Sequence, residues 1–576
     1  MSKDRASANE RGSRRRAYLE QDHERVMPSS RWRHDLEQRS SDRHDSSLKF
    51  DGYRSLESAG FDFFRSSRLK RGRRDRTRQD WWKRSLPTFS FALPPETDSR
   101  FLEAHNYSYF RQFPDAPPSQ EMDYNFSTKN LVSTWRELWI HLASAEKKAG
   151  LKINQWQIEE MREKIEDVDF EATEKMDCDR LEAHLTLYRR KCPSAEPIIN
   201  LGASVEDIRA IADCILNKEA LDLILVKLAA CIENLSAFAL EYKSLPTVGY
   251  VHLQPSCFVT VGKRACLWIQ DLLLDLRALG RCRNDLKCSG IKGFDGNQRE
   301  LLSLCERNHP KISFIEKEFC RLSGFDGIYH LSRQSESGKQ EERIVSHLSS
   351  LGASIHKMAT DVDILRSLGE VRKTIVTGEE YQNKVESCLS TKSGACRDTS
   401  QHLMSLFLHV LSQSSTRWME QSRHHLGGIS TYTTEALVTC DVLLDNLLSL
   451  ISELKVESRT IEFRNREELP LLETELILVE LMKRGENRVR CQKHLQNLET
   501  TIATEFRNEK KSPNAVEMIK NDPLFSDLTE YLESYLDPDT RTGRAQSQVE
   551  EFVKEEVRPA LEPFVHSAIF RQYGNI

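Results

Sequence analysis

The sequence predicts an all-α protein built around a bundle of long helices. From about residue 124 onward, apolar residues recur at intervals of three and four, as one buried helix face requires. The alternation typical of β-strands is scarce, and no run of about 18 apolar residues predicts a membrane span. The 576-residue chain is 39% hydrophobic and 30% charged, which is typical of a soluble protein of roughly two to four domains.

The first 90 residues are predicted to form a disordered basic arm that is rich in Arg and Ser. They hold 23 Lys and Arg against 14 Asp and Glu, a net charge of +9, whereas the whole chain carries −5. Two basic runs, residues 14–16 and 68–76, are compatible with binding nucleic acid or an import receptor. A solvated mixed-charge tail that does neither is the alternative.

The cysteines and the polar N-terminus bear on the cellular compartment. Fourteen cysteines occur without a C-x-x-C pair or a secretory signal, which favours reduced thiols in a cytoplasmic protein. A nuclear location is expected if a basic run is an import signal. Cys388, Cys396 and His402 lie near one another in sequence, but their spacing matches no zinc pattern. We therefore predict no metal site, and no cofactor.

The body divides into an N-terminal helical domain (91–204), a central long-helix domain (205–456) and a C-terminal domain of shorter helices (457–576). Helices of about 20–30 residues are expected in the central domain, well above the usual mean. Helices of this length favour association between subunits through the bundle. The stripes that carry this prediction are Trp135, Leu138, Trp139, Leu142 and Ala145; Leu221, Leu225, Leu228, Ile232 and Leu235; Ile344, Leu348, Leu351, Ile355, Met358, Val362 and Leu365; and 437–454.

Two polar features stand outside the stripes. The stretch from Leu245 to Asp271 is interpreted as a loop, with Pro246 and Pro255, that feeds a helix and carries His252. This histidine is either an acid or base on a rigid scaffold or a packed residue with satisfied ring nitrogens. Near the C-terminus, 541–545 reads RTGRA, and its arginines either grip an anion at a helix start or, as we favour, pair locally.

Six strings in fixed order resemble the adenylosuccinate lyases of the fumarase/aspartase superfamily. The similarity runs from about Glu121 to the C-terminus. The strings are 133–139 (STWRELW), 199–204 (INLGAS), 246–255 (PTVGYVHLQP), 260–264 (TVGKR), 351–357 (LGASIHK) and 542–545 (TGRA).

The resemblance implies a three-domain helical subunit whose long central helices pack into a tetramer. It implies active sites assembled from several subunits, and elimination of fumarate from adenylosuccinate and a related ribotide of purine synthesis. Such chemistry needs a base, an acid and cationic contacts to carboxylates and phosphate. His252 matches the family's acid. Gln298 and Ser204 match positions that contact substrate.

The sequence departs from the family at the base. The family places a serine in the signature Gly-Ser-Ser-x-Met-Pro-x-Lys-x-Asn-Pro, whereas 380–390 reads EYQNKVESCLS, with Tyr381 at the serine position and Ser387 at the lysine position. Other family contacts are also replaced. An Arg-Tyr pair falls on 116–117, an Arg-His-Asp string on 178–180, a threonine on Val251, and two arginines and a serine on Gln421, Ser430 and Leu426.

These departures predict a protein that folds and assembles without turnover. We expect a non-catalytic interaction protein, either a homotetramer or a hetero-oligomer with an active lyase subunit. The alternatives are an active adenylosuccinate lyase with a rearranged site, and a nuclear or nucleic-acid-associated factor that acts through the basic arm.

Overall fold

The computed structural model describes residues 117–331, 338–372, 389–416, 427–468, 474–509, Pro523 and 542–574. The basic arm, with its runs 14–16 and 68–76, lies outside these residues, as do Tyr381 and Arg541. Within them the chain is helical apart from one small sheet, so the all-α fold is confirmed. The domain boundaries stay predictions.

The N-terminal part packs five helices and a short 3₁₀ turn. They are α1 (Gln120–Asn125), α2 (Thr128–Lys148), α3 (Gln155–Glu163), α4 (Phe170–Glu174), α5 (Arg180–Lys191) and the turn Glu196–Ile198. Helix α2 begins after Ser127, whose side chain accepts a hydrogen bond from the Asn130 amide. All five residues of its predicted apolar stripe are buried.

The described residues of the central part form five long helices, as predicted, and two shorter ones. They are α6 (Val205–Glu241), α7 (Val261–Asn284), α8 (Arg299–Leu304), α9 (His309–Leu322), α10 (Lys339–Ser367), α11 (Leu389–Ser415) and α12 (Gly427–Ser452). Helix α10 packs against α11, α11 against α12, and α6 against both α7 and α12. The 37 residues of α6 span roughly 55 Å.

The stripes on α6 and α10 are buried at every predicted position. Helix α6 is also long and apolar enough to cross a membrane by length and composition, yet most of that segment is buried inside the protein. Its apolar surface is therefore already covered by neighbouring helices, as in the core helix of a soluble bundle.

One buried ion cluster crosses the centre of the bundle. Lys227 of α6 lies 2.7 Å from a carboxylate oxygen of Asp441 and 2.8 Å from one of Asp445, both on α12. The Ser119 amide donates to Asp441, so the segment before α1 joins the same cluster. The two carboxylates compensate the cost of burying the ammonium group.

The C-terminal part contains mostly shorter helices. They are α13 (Ser458–Glu468), α14 (Thr474–Lys483), α15 (Arg488–Glu509), α16 (Ala545–Phe552), a π-helical turn (Val553–Val557), α17 (Arg558–Leu561) and α18 (Ala568–Tyr573). Helix α18 docks on α6, where Asn234 donates a 2.9 Å hydrogen bond to the Tyr573 carbonyl. Arg544 pairs with Glu551 at 2.8 Å, which is the local pairing that we favoured for it.

Candidate functional site

The segment that carries His252 is a β-hairpin, so our interpretation of a loop was wrong. Strands β1 (Pro246–Val251) and β2 (Gln254–Thr260) pair antiparallel, from Pro246 opposite Thr260 to Val251 opposite Gln254. His252 and Leu253 form the two-residue turn, with φ of 51° and 63°. Two left-handed residues are typical of a primed hairpin turn, which matches the twist of the strands.

The hairpin was hard to recognise because its residues resemble those of a loop. Pro246 is the first residue of its strand, where the missing N–H costs little. Pro255 lies beside a bulge, since the register shifts between Gly249 and Tyr250. The turn has neither Asn nor Gly, and a left-handed conformation costs other residues about 1–2 kcal/mol each. The alternation of Val248 and Tyr250 was the available signal.

A buried carboxylate anchors the base of this hairpin. Glu370, just after α10, is 2% exposed. Its Oε2 accepts hydrogen bonds from Thr247 Oγ1 and Arg264 Nη1, both at 2.9 Å, and its Oε1 accepts one from the Tyr250 hydroxyl at 3.1 Å. Arg464 of α13 donates to that hydroxyl and lies 3.7 Å from Glu370 Oε1. Arginine and hydroxyl donors compensate the burial of this carboxylate.

Two further bonds hold the strands from outside the sheet. Arg264 Nη2 donates to the Val248 carbonyl at 2.7 Å, and Asn465 Nδ2 donates to the Pro246 carbonyl at 2.8 Å. The hairpin base is thus tied to α7, α13 and the end of α10. Burial of its hydroxyl next to Glu370 raises the pKa of Tyr250, so this tyrosine stays protonated and acts as a donor.

The tip of the hairpin projects away from this anchor. His252 is exposed, and Leu253 is 72% exposed. None of the residues that the structure describes hydrogen-bonds the His252 ring. An imidazole on a fixed hairpin tip can donate or accept a proton at a surface brought to it from outside.

A second buried carboxylate, Asp207, links Ser204 to the loop that leads to Gln298. The Ser204 hydroxyl accepts from the Asp207 amide at 3.1 Å, and the Asp207 carboxylate accepts from the Ser204 amide at 2.9 Å, which caps α6. Asp207 also accepts from the amides of Lys292 and Gly293, at 3.2 and 2.9 Å. These residues start the loop that ends at Gln298.

Gln298 and Ser204 both make hydrogen bonds within the fold. Gln298 Nε2 donates to the Ile291 carbonyl at 2.7 Å, which closes its own loop. Burial raises the pKa of Asp207 to about 6, although the hydrogen bonds from Ser204, Gly293 and Lys292 oppose that shift. Within the described part of the chain, no hydrogen bond or ion pair links His252 to Ser204 or Gln298.

Ser430 and residues 178–180 differ from the residues that the resemblance implies at those places. Ser430 of α12 stands at an arginine position, and its hydroxyl donates to Asp213 at 3.1 Å. Burial raises the pKa of Asp213 to about 6. Asp179 caps α5 and lies 2.5 Å from Arg209, while Arg180 donates to the Thr128 hydroxyl at 2.7 Å. These groups are occupied by partners within the fold.

The structure thus describes only part of the predicted site. Tyr381, at the base position, lies outside the described residues, which stop at Arg372, two residues after Glu370. The anchors Glu370 and Asp207 were missed by sequence reasoning. A capping-box spacing from Ser204 to Asp207 was the available signal for the second.

The cysteine and histidine residues near 388–402 form no metal site in the described part. Cys396 is buried, and the His402 ring lies 3.1 Å from a Glu435 oxygen. Cys388 is outside the described residues. Among the residues that are described, no group of three or more His, Cys, Asp or Glu side chains could hold a metal ion.

Several known proteins are similar in sequence to this chain and are adenylosuccinate lyases. The chain is 36% identical over 457 residues to the adenylosuccinate lyase of Saccharomyces cerevisiae. The aligned region covers 77% of this chain and 94% of the yeast protein. The chain is also 36% identical to the lyase of Schizosaccharomyces pombe, with the same coverage, and 33% identical to that of Schistosoma mansoni. No family model matches the chain.

Solved structures agree on the fold. A β-carboxy-cis,cis-muconate cycloisomerase from Acinetobacter calcoaceticus superposes with a TM-score of 0.64 at 16% identity, covering 77% of this chain and all of that one. A fumarate lyase from Mesorhizobium also gives 0.64 at 16% identity, covering 76% and 98%. The fold is therefore that of the fumarate lyases, and the sequence relatives make the narrower assignment: the chain belongs to the adenylosuccinate lyase family.

Proposed function

We propose that this chain is a non-catalytic member of the adenylosuccinate lyase family that acts by assembly. It would form a homotetramer or co-assemble with an active lyase subunit. The observation that carries the proposal is the state of the anion contacts: where the resemblance places cations or substrate donors, the described residues are neutral, acidic or occupied within the fold.

The Ser430–Asp213 contact is the clearest case. A hydroxyl that donates to a buried carboxylate cannot replace a guanidinium as a partner for phosphate. Each lost charge-assisted hydrogen bond costs roughly 1.5–3 kcal/mol of binding. Gln298, which does survive, already uses its amide on the Ile291 carbonyl.

The missing base adds a separate loss. Tyr381 and Ser387 replace the serine and lysine of the family signature, and a general base is worth about 10²–10⁴ in rate. Such losses are not additive, but together they should remove turnover at ordinary substrate concentrations. His252 then remains as a proton donor without a base in its own chain.

Surface features support the assembly half of the proposal. Leu267 and Leu274 lie seven residues apart on α7, and each is 55% exposed. Apolar residues at this spacing form one stripe that suits a neighbouring helix. Val251 and Leu253, which flank His252, are also exposed and would be covered if the hairpin tip entered another subunit.

Native mass spectrometry of the full chain, alone and mixed with an active adenylosuccinate lyase, tests this proposal. We expect homotetramers alone and mixed tetramers in the second sample. The mixture can also be made with a lyase variant whose own acid histidine is replaced by alanine. A mixed site that takes His252 from this chain would then regain activity, and His252→Ala in this chain would abolish the gain. A strictly monomeric chain that ignores the lyase would contradict the proposal.

An active lyase is the competing function, and one observation favours it. The hairpin that carries His252 is held by a complete set of buried hydrogen bonds around Glu370. Catalysis requires that the acid be held in a fixed position. Turnover of adenylosuccinate by the chain alone, lost on His252→Ala, would establish this alternative.

The function through the basic arm stays a prediction from sequence. Removal of residues 1–90 should abolish nucleic-acid binding, and affinity should fall steeply with salt, if runs 14–16 and 68–76 contact phosphates. Binding that is flat in salt would rule it out. A cytoplasmic location is expected if neither run acts in import.

A further inference from the structure

Two buried cysteines meet beside the loop that carries Gln298. Cys288 follows α7, and Cys320 lies near the end of α9; they are 0% and 4% exposed. The Cys288 amide donates to the Gly327 carbonyl at 3.0 Å, and the Tyr329 amide donates to the Cys288 carbonyl at 2.9 Å. This parallel bridge fixes Cys288 against the segment that follows α9.

The Cys320 thiol reaches the same place from the helix. Its Sγ lies 3.3 Å from the Gly327 carbonyl oxygen, the group that also holds the Cys288 amide. The Cys320 thiol therefore lies against the backbone pair that Cys288 makes with Gly327, beside the Cys288 side chain. The Cys320 S–H donates to the Phe325 and Gly327 carbonyls, so Cys320 is protonated in the fold and loses that proton when it reacts.

We propose that Cys288 and Cys320 are a reversible dithiol–disulfide pair that hydrogen peroxide oxidises. This inference goes beyond the proposed function. The Cys320 thiolate attacks one peroxide oxygen, the O–O bond breaks, and hydroxide leaves, so Cys320 becomes a sulfenic acid. The Cys288 sulfur then attacks the Cys320 sulfur and expels the second oxygen. Two thiols and one peroxide give one disulfide and two water molecules.

A small neutral oxidant suits the burial of the pair. Cys320 retains a little exposure whereas Cys288 has none, so a small oxidant reaches the Cys320 sulfur first. The other cysteine between Cys288 and Cys320 is in a different environment. Cys305, at the end of α8, is buried, and burial raises its pKa.

The bridge would close a loop that contains a candidate substrate contact. The segment between Cys288 and Cys320 includes the positive-φ glycines Gly290, Gly293 and Gly296, then Gln298, α8 and α9. With three such glycines, the 289–298 loop can adopt many conformations when its hydrogen bonds to Asp207 open. A cross-link at both ends of the segment restricts them.

Peptide mapping of the full-length wild-type protein tests the pair directly. The protein is treated with hydrogen peroxide, its remaining thiols are alkylated, and the digest is analysed by mass spectrometry. We expect one cross-linked peptide joining Cys288 to Cys320, lighter by two hydrogen atoms and released by dithiothreitol. A bridge from Cys288 to Cys214, or oxidation confined to the exposed Cys178, would overturn the proposal.

Matched variants provide the control. Cys320→Ser and Cys320→Ala should both abolish the cross-linked peptide, whereas Cys305→Ser, which removes a buried thiol from the same segment, should retain it. Oxidation should also slow amide exchange in 289–298 by about tenfold or more in the wild type and in Cys305→Ser. Equal exchange before and after bridging would contradict the role assigned to the loop.

Discussion

Two buried glutamates stand in opposite surroundings. Glu370 holds the base of the hairpin with three direct hydrogen bonds and a second arginine nearby. Glu146 of α2 is 0% exposed, and neither of its side-chain oxygens has a hydrogen-bond partner among the described residues. Burial alone raises the pKa of Glu146 to about 9.

The difference shows two ways to bury the same side chain. Glu370 is compensated by arginines and fixes the geometry of a candidate site, so its removal leaves two partly buried arginines and two hydroxyls without their acceptor. Glu146 is accommodated as a neutral acid that fills space in the core, so its replacement by an isosteric amide leaves no unpaired charge. Asp207 lies between the two, because backbone amides are its main partners.

The largest effect is expected at Glu370. Glu370→Ala leaves Arg264 and Arg464 without their buried carboxylate and should cost about 3–5 kcal/mol of unfolding free energy. Urea unfolding measures this loss. Asp285→Ala, which breaks the exposed pair with Arg343, is the matched control and should change little. Equal losses in both variants would contradict the role of the Glu370 centre.

Glu146 should make the stability of the folded protein depend on pH. Its folded pKa of about 9 lies above the ordinary 4.5, so the folded protein keeps a proton that the unfolded chain releases. That stabilisation is complete below pH 4.5 and is lost as pH rises toward 9, at about 1.4 kcal/mol per pH unit. Glu146→Gln has no such proton to lose. Its unfolding free energy relative to that of the wild type should therefore increase as pH rises.

Urea unfolding at pH 6 and pH 8 measures this trend. The advantage of Glu146→Gln should grow by up to about 3 kcal/mol between the two values. Glu159→Gln on the exposed face of α3 is the control and should give no pH-dependent gain. A constant difference between wild type and Glu146→Gln would mean that Glu146 is ionised in the fold.

Asp207 should give an intermediate loss. Asp207→Ala removes the acceptor of the Ser204, Lys292 and Gly293 amides while the Ser204 hydroxyl still caps α6, at a cost of about 1–3 kcal/mol. Amide exchange at Lys292 and Gly293 should accelerate. Asp169→Ala, which removes only the cap of the short helix α4, should cost less and should leave the loop unchanged. Slow exchange at 292–293 in Asp207→Ala would show that another group holds the loop.

The smallest effect is expected at the hairpin tip, and it has the opposite sign. Leu253→Gly relieves a left-handed conformation and should stabilise the protein by about 0.5–1 kcal/mol. Val251→Gly, one position before the turn, should instead destabilise it by a similar amount, because glycine weakens a strand. Thermal unfolding of both variants distinguishes local backbone strain from a general effect of the tip.

The bundle could be predicted from sequence because each helix carries its own pattern. The stripe from Ile344 to Leu365 alternates steps of four and three, and every one of its residues is buried. The resemblance pointed to His252 and Ser204 for the same reason, since both lie in contiguous strings. Such signals depend on neighbours in sequence and need no knowledge of the fold.

The anchors could not be predicted because their partners are distant in sequence. Thr247 and Glu370 are 123 residues apart, and Arg464 follows almost a hundred residues later. Nothing in the local sequence of Glu370 marks it as buried. The hairpin was missed because its turn uses His and Leu at positions where Asn and Gly are usual. Asp207 was nearer to prediction, since its spacing from Ser204 is that of a capping box.

We propose that this member of the family keeps the acid His252 but does not turn over adenylosuccinate. The direct measurement is absorbance-monitored cleavage of adenylosuccinate by the purified full chain, beside the same chain with His252→Ala. We predict a rate at least about 10²-fold below that of an ordinary lyase, and no difference between wild type and His252→Ala. Turnover in the ordinary range that the substitution abolishes would contradict the claim and make the chain an active lyase.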